Sequence, residues 1–465
     1  MEIELNHIIF IILAVCFVII NVALCLLYRS YVQFVFFLTI FLTALHDHLS
    51  ITFMHQEWYK TATYGFDITI PDLCTLVLFI IMIMRSREYR IRWYIPLTIP
   101  TAIFLLLAII SWLAIPQDRL SNPIQEGTAD RYFLLSLFPL FGIFKVIKFF
   151  WIYWVLTNFL VLKDSLKTVI YSFALVVIYL TLISFFERYV QHEFQINGYG
   201  MGPNVVSVYI GAIGAFLFPF IFICKSNKKA FFYIFLVFCS FVVVILSVGR
   251  SALLGFVLAS LVSWVMMITR NLNMRNIVFS IIMAVAAMGL TLKAIQTLRE
   301  RWNEESIEFS IHDRLSLNLR AVEMANDYFW GVGLGNYPAW FAVKYSGVDQ
   351  DPINIAHNIY FLTLGELGYL GLITLLCKHI RILQMLISDF VYNRRYILVF
   401  TVLVAVTGAW IVIFIQDMVH FTSLINQIAF LTHLMTAFIA RIYMDKNWMR
   451  EIYDIKYKVN LSLIK

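Results

Sequence analysis

Three kinds of side chain in this sequence are placed where they could meet an anion and move a proton. Arg250 lies in Ser247-Val-Gly-Arg-Ser251, between two apolar runs with almost no loop. A guanidinium keeps its charge at any physiological pH and presents a planar fork that fits phosphate. At membrane depth such a charge has to face a wet cavity or an anion. The competing reading is an arginine that snorkels at a tight helical turn. Arg314 and Arg320 lie six residues apart on one helical segment, so they point to different faces and do not clamp one group together. A solvated arginine is the alternative for each. His357 precedes the apolar run Asn358-Ile-Tyr-Phe-Leu-Thr-Leu-Gly-Glu366. A helix start disfavours imidazolium and keeps the ring neutral, which is the state a general base needs near pH 7. A hydrogen-bonded interfacial histidine fits the same position. Glu366 follows nine residues later, about 13 Å along a helix at roughly 1.5 Å per residue. It is expected to bond between helices rather than to touch the imidazole.

Other signals are weaker. Gly331-Val-Gly-Leu-Gly335 has neither the preceding strand nor the following helix of a dinucleotide fingerprint. It reads as a turn or as a backbone nest for an anion. Asp349-Gln-Asp351 has the two-carboxylate spacing that some sugar transferases use to hold a divalent metal. His46-Asp47-His48, and Asp417 with His420, group ligand-type side chains without a recognised metal-site spacing. Lys145 and Lys148 fall inside an apolar span and need anionic neighbours or a wet groove.

The elements that must position these groups are membrane helices. The chain has 465 residues, 61% of them apolar and 14% charged, with a mean hydropathy of +0.83. No soluble core hides that much apolar surface, so soluble enzymes, nucleic-acid-binding domains, disordered chains and secreted disulfide scaffolds are excluded. At about 20 apolar residues per crossing, 13 spans are expected, near 5–28, 31–50, 66–84, 95–115, 132–162, 168–186, 204–224, 230–248, 251–269, 277–293, 358–377, 396–416 and 421–440. The fifth is too long for one straight crossing and is expected to be broken or strongly tilted.

Of the 35 Lys and Arg, 22 fall on one alternating set of loops and the tail, 11 on the other set, and two inside a span. The positive-inside rule makes the richer set cytoplasmic, which puts the N-terminus outside and the C-terminus inside. The first span lacks a basic flank and a cleavage site, so it is expected to stay in the membrane. All six cysteines lie in or beside apolar spans, where they act as small hydrophobes. The reading is a single transmembrane domain over 1–465, with one long outer loop at 294–357. Within the loop, Ser310-Ile-His-Asp313 resembles a capping box and opens a helix to about Tyr328, which the glycine run stops. The two halves show no mirrored repeat, against an inverted-repeat transporter.

Four ordered segments resemble the bacterial O-antigen ligase and polymerase superfamily. They are Gly198-Tyr-Gly-Met-Gly-Pro203-Asn204, Ser247-Val-Gly-Arg250-Ser-Ala-Leu-Leu-Gly255, Arg314 through Arg320 to Trp330-Gly-Val-Gly-Leu-Gly-Asn336, and Ala356-His357-Asn358 through Glu366-Leu-Gly-Tyr-Leu-Gly371. The family's usual Trp four residues after the loop arginine is Asn318 here, the Pro before the glycine turn is Trp330, and the Arg before Pro-Asn is replaced by Gln195 and Asn197, with Arg188 further back.

The resemblance implies an all-α, GT-C-like polytopic protein of the bacterial cytoplasmic membrane with 12–13 helices. It implies an inverting glycosyl transfer that uses no metal and no cofactor, on the outer face. The donor would be an oligosaccharide on undecaprenyl pyrophosphate and the acceptor a glycan: another repeat unit in a polymerase, which is the leading reading, or lipid A-core in a ligase, which is the alternative. A chain-length regulator and a flippase would be partners, and nucleic acid would not. Carried over by motif, His357, Arg314 and Arg250 are catalytic, and Arg320, Arg188, Asn204, Asn358 and Glu366 bind pyrophosphate or glycan. A lipid-linked glycan transporter and a scaffold whose loop docks a partner are the readings from other classes.

Overall fold

The computed structural model describes residues 5–48, 50–53, 66–89, 91–115, 129–160, 165–270, 273–278, 280–281, 304–338, 340–341 and 355–444. The fold is an all-α membrane bundle. In chain order its helices are α1 (Leu5–Leu27), α2 (Arg29–Phe41), α3 (Ile70–Met84), α4 (Thr98–Leu113), α5 (Ala129–Phe159), α6 (Ser165–Tyr189), α7 (Pro203–Leu217), α8 (Asn227–Leu246), α9 (Arg250–Ile268), α10 (Glu304–Asp327), α11 (Ile359–Tyr392), α12 (Ile397–Asp417) and α13 (Asn426–Met444). Among the described residues nine helices are long and apolar enough to cross a membrane, and α2, α3 and α4 are shorter apolar ones. The expected span at 277–293 lies almost wholly outside the described residues. So do Asp349 and Asp351, and the side chains of His46, Asp47 and His48.

The centre of the bundle is α7, where every residue from Val205 to Leu217 is buried. A helix apolar all round belongs inside, and small residues let its neighbours close on it. A Cβ on Gly214 would meet Ser240 Cβ at 2.6 Å and Phe256 Cε2 at 2.7 Å, and one on Gly408 of α12 would meet the Ala215 carbonyl at 3.1 Å. By contrast α1 keeps most of its apolar surface outward, facing lipid.

Four boundaries differ from the sequence expectation. The span at 66–84 begins as a strand: β1 (Ser50–Phe53) pairs antiparallel with β2 (Phe66–Thr69). Thr69 then caps α3 in a reciprocal capping box with Asp72, with Pro71 in the first turn. The long fifth span is one helix, α5, with Pro139 inside it. Helix α10 is already formed at Glu304, so Ser310 lies inside it instead of capping it. Helix α11 runs on to Tyr392, because Ile382, Met385, Leu386 and Asp389 continue its buried face. Lys378 and Arg381, expected in a loop, are therefore helical.

The lysines of α5 find the neighbours their depth demands. Lys148 Nζ reaches Asp72 Oδ2 at 3.3 Å, the Asp67 carbonyl at 3.0 Å and Asn426 Oδ1 at 3.2 Å. Lys145 lines an internal cavity of about 190 Å³ between α4, α5, α11, α12 and α13, together with Glu366, Lys378, His379 and His433.

Candidate functional site

Two glycine-rich segments at one end of the bundle are each built around a buried glutamate. In the first, three successive backbone N–H groups, of Asn197, Gly198 and Tyr199, donate to the Glu187 carboxylate at 2.8, 2.8 and 2.5 Å. Positive φ at Gly198, Tyr199, Gly200 and Gly202 aims them there. In the second, Gly331, Gly333 and Gly335 all have positive φ. Val332 N donates to the Gly365 carbonyl at 3.1 Å and Gly333 N to the Glu366 carbonyl at 2.9 Å. The Glu366 carboxyl accepts from the backbone N–H groups of Gly335 and Tyr337. The anion nest read as one option for this run thus holds the protein's own side chain.

Helix α11 opens to receive that turn. Gly368 has φ 67° and ψ −171°, a conformation essentially reserved for glycine, and interrupts the helix. A Cβ there would collide with the Phe329 carbonyl, and one on Gly331 with the backbone of Glu366. Ser111 Oγ donates to the Glu366 carbonyl at 3.0 Å, and Tyr337 Oη donates to the Leu317 carbonyl of α10 at 2.5 Å. Glycine turn, α10 and α11 are locked as one block. Gly368→Ala is expected to lower stability by at least about 1–3 kcal/mol, the cost of a strained φ/ψ plus the clash. Thermal melting in detergent checks this.

The same block fixes the histidine. Asn358 caps α11: its Oδ1 accepts from Tyr360 N at 2.9 Å and Phe361 N at 3.3 Å. Its Nδ2 donates to the Met418 carbonyl at 2.7 Å, which ties the start of α11 to the turn after α12. That turn carries His420, whose ring lies 5.3 Å from the His357 ring, centroid to centroid, and 4.4 Å from Phe421. Phe421 stacks on His357 as well, at 5.9 Å. The buried Asp417 carboxylate closes the turn by accepting from Ser423 N at 3.1 Å and from the Ser423 hydroxyl. Burial pushes the His420 pKa from 6.5 down to about 3, and the charges of His357 and Arg314 add to it. Arg314 of α10, His357 and His420 therefore share one electrostatic neighbourhood.

His420 stays neutral in the folded chain while an unfolded chain protonates it below about pH 6.5. Its contribution to stability is complete above pH 6.5 and is lost as pH falls toward 3. The fall in melting temperature between pH 6.5 and 4 is expected to be smaller in His420→Gln than in the parent protein.

Arg250 is exposed at the first residue of α9. Its neighbour Ser251 hydrogen-bonds through Oγ to Gln416 Oε1 of α12, and the His420 N–H donates to the Gln416 carbonyl at 2.8 Å. Arg250 is thus at the same end of the bundle as the histidines, two short links away. Gly249 abuts Ser207, one turn after Asn204, which is half-buried at the start of α7. Gln195 Nε2 donates to the Ser247 carbonyl at 3.1 Å, so the first glycine-rich segment lies over the same turn.

Other candidates are engaged elsewhere. Arg188 donates to the Glu193 carbonyl at 3.2 Å and lies 5.2 Å above the Phe194 ring, closing its own loop. Arg320 Nη1 donates to both carboxylate oxygens of Glu323, at 2.8 and 3.0 Å. Two polar groups at the site were not singled out from sequence as its members. His420 was noted only beside Asp417, although its place just after a span, like that of His357 just before one, was a usable signal. Asn318 lies one turn beyond Arg314 on the same face of α10, and its buried Oδ1 has no hydrogen-bond partner among the described residues.

Residues 235–376 match the family model Wzy_C, O-Antigen ligase. The match supports the superfamily resemblance drawn from the motifs. No curated protein matches the chain. The matched segment contains Arg250, Arg314, Arg320, His357, Asn358 and Glu366, while Asn204 and Arg188 precede it. The block of α10, glycine turn and early α11 lies entirely within it.

Proposed function

We propose that the chain is a membrane glycosyltransferase. It moves an oligosaccharide from undecaprenyl pyrophosphate to an acceptor glycan at the outer face of the cytoplasmic membrane. The observation that carries this reading is the grouping of Arg314 and His357, both inside the segment that matches the O-antigen ligase model, with His420 at one end of the bundle. That end is the outer one in the orientation set by the loop charges. There the diphosphate head group emerges from lipid while its isoprenoid stays in the bilayer.

In this reading His357 takes the proton from the acceptor hydroxyl. The oxygen attacks the anomeric carbon from the side opposite the phosphate. The bond from that carbon to the phosphate oxygen breaks, and the carbon is inverted. Undecaprenyl pyrophosphate leaves with the electron pair, and Arg314 and Arg250 meet its growing charge. Fixed cations at a developing anion are worth most where water is excluded. His420 and Phe421 hold the His357 ring. Asn358 and Glu366, whose polar atoms are spent on the chain itself, serve by positioning. Asn204 contributes to the surface over which the glycan lies, while Arg188 and Arg320, engaged with their own neighbours, have at most an indirect part. The proton and the leaving group are both handled by side chains, so no metal is needed for either step.

The acceptor is a second lipid-linked repeat unit in the polymerase reading and lipid A-core in the ligase reading. Purified protein, lipid-linked repeat units and EDTA, without nucleotide, test the proposal. A ladder of products marks a polymerase. Transfer only when lipid A-core is supplied marks a ligase. No transfer with either acceptor contradicts both.

A further inference from the structure

Among the described residues, those with positive φ that are not glycine are His192 at 57°, Tyr199 at 58° and Val248 at 59°. All of them lie at one corner of the candidate-site end of the bundle. His192 and Tyr199 belong to the segment between α6 and α7, and Val248 to the turn before Arg250. The bond from Gln195 Nε2 to the Ser247 carbonyl joins the two. A side chain at such a φ crowds its own backbone, and the conformation persists only where the surroundings hold it.

Tyr199 is held firmly. Its N–H is the last of the run that donates to the Glu187 carboxylate, and Glu187 is buried. Before it, Gly198 packs so closely on α7 that a Cβ there would come within 2.2 Å of Val206 Cγ2. After it, Gly200 and Gly202 have φ of 101° and 83°. Tyr199 thus sits in a run where glycine is the residue of least strain. Its neighbours Ile196 and Met201 are buried, whereas Tyr199 is 53% exposed. The strained backbone therefore does not serve burial. What it secures is an exposed aromatic ring close to the turn that presents Arg250.

We propose that Tyr199 is a glycan-binding residue, whose ring stacks on one sugar ring of the lipid-linked oligosaccharide. The proposal rests on the transferase reading above and adds to it the place of a sugar. One face of a sugar ring carries C–H groups with a slight positive charge. The face of an aromatic ring is flat, apolar and slightly negative, so the two surfaces match. The buried carboxylate fixes the platform before the glycan arrives, and little freedom is lost on binding. The position follows from the same corner. With the diphosphate at Arg250, the sugars nearest it extend over the segment that Gln195 ties to that turn.

Equilibrium binding of two lipids to the purified full chain in nanodiscs tests it. One is undecaprenyl pyrophosphate carrying the oligosaccharide, the other undecaprenyl pyrophosphate without sugar. Tyr199→Ala is expected to weaken binding of the first about ten-fold, the order of worth of one aromatic contact, and to leave the second unchanged. Tyr199→Trp should keep most of the affinity. Tyr199→Gly separates recognition from folding. It removes the crowded φ, so it should melt close to the parent protein while losing as much glycan affinity as Tyr199→Ala. A tyrosine needed only for the fold would show the reverse, a lower melting temperature with binding kept, and that result overturns the proposal. Unchanged glycan binding in both variants overturns it too and leaves the transferase reading standing. Equal weakening toward both lipids makes Tyr199 a membrane-interface residue, which also overturns it. If the parent protein binds neither lipid, the transferase reading itself fails and this proposal falls with it.

Discussion

Replacing His357 with alanine is expected to lower glycosyl transfer by about two to four orders of magnitude, the usual worth of a general base. Folding should be little affected. The imidazole makes ring contacts with His420 and Phe421, whereas the backbone around it is held by Asn358 through its cap and its bond to the Met418 carbonyl. His357→Ala should therefore melt close to the parent protein and still bind donor lipid. A strong nucleophile that needs no base should recover part of the lost rate, because only the deprotonation step is missing. If transfer by His357→Ala is unchanged, the histidine is an interfacial packing residue and the assigned chemistry is wrong.

Arg314 carries the second large effect. Removal of one fixed donor from a developing oxyanion typically costs about 3–4 kcal/mol, or 10² to 10³ in rate. Arg314→Ala is expected to fall in that range and to lose affinity for pyrophosphate-linked substrate as well, since the leaving group is already charged in the ground state. Arg314→Lys should sit between the two, because a lysine keeps the charge and gives up the fork. Arg320→Ala serves as the contrast. It faces Glu323 in an exposed pair, and such pairs contribute little, so its effect on rate should be small. Steady-state rates of purified protein at saturating and limiting donor separate these cases.

The bundle was largely legible in the sequence, because length and hydropathy are local properties. Twelve of the thirteen expected spans coincide with described helices, and the remaining one, at 277–293, lies almost wholly outside the described residues. The boundaries that differed are those set by side-chain bonding. Thr69 and Asp72 convert the start of a hydrophobic run into a strand followed by a cap. The buried face of α11 continues past two basic residues that hydropathy counts as loop.

The site was legible in part. Arg314 and His357 announce themselves by charge at the edge of the membrane. Their proximity to each other does not show in the sequence, and neither does the pairing of His357 with His420, because 62 residues of chain lie between the two histidines. The glycine run was readable as a turn. That Glu366 fills it could not be read, because the glutamate sits on another helix and reaches the turn only once Gly368 has broken that helix. The same holds for Glu187 beneath the first glycine-rich segment. In both places an acidic side chain that looks available for substrate is spent on orienting backbone N–H groups.

The central claim is that fixed guanidinium groups at one end of the bundle grip a diphosphate head group without help from a metal. The direct measurement is equilibrium binding of undecaprenyl pyrophosphate to the purified protein in EDTA. The account predicts saturable binding that weakens at least about ten-fold in Arg314→Ala and in Arg250→Ala, 1.4 kcal/mol or more, and that His357→Ala leaves unchanged. Binding that ignores both arginine substitutions, or that appears only when a divalent cation is added, would contradict it.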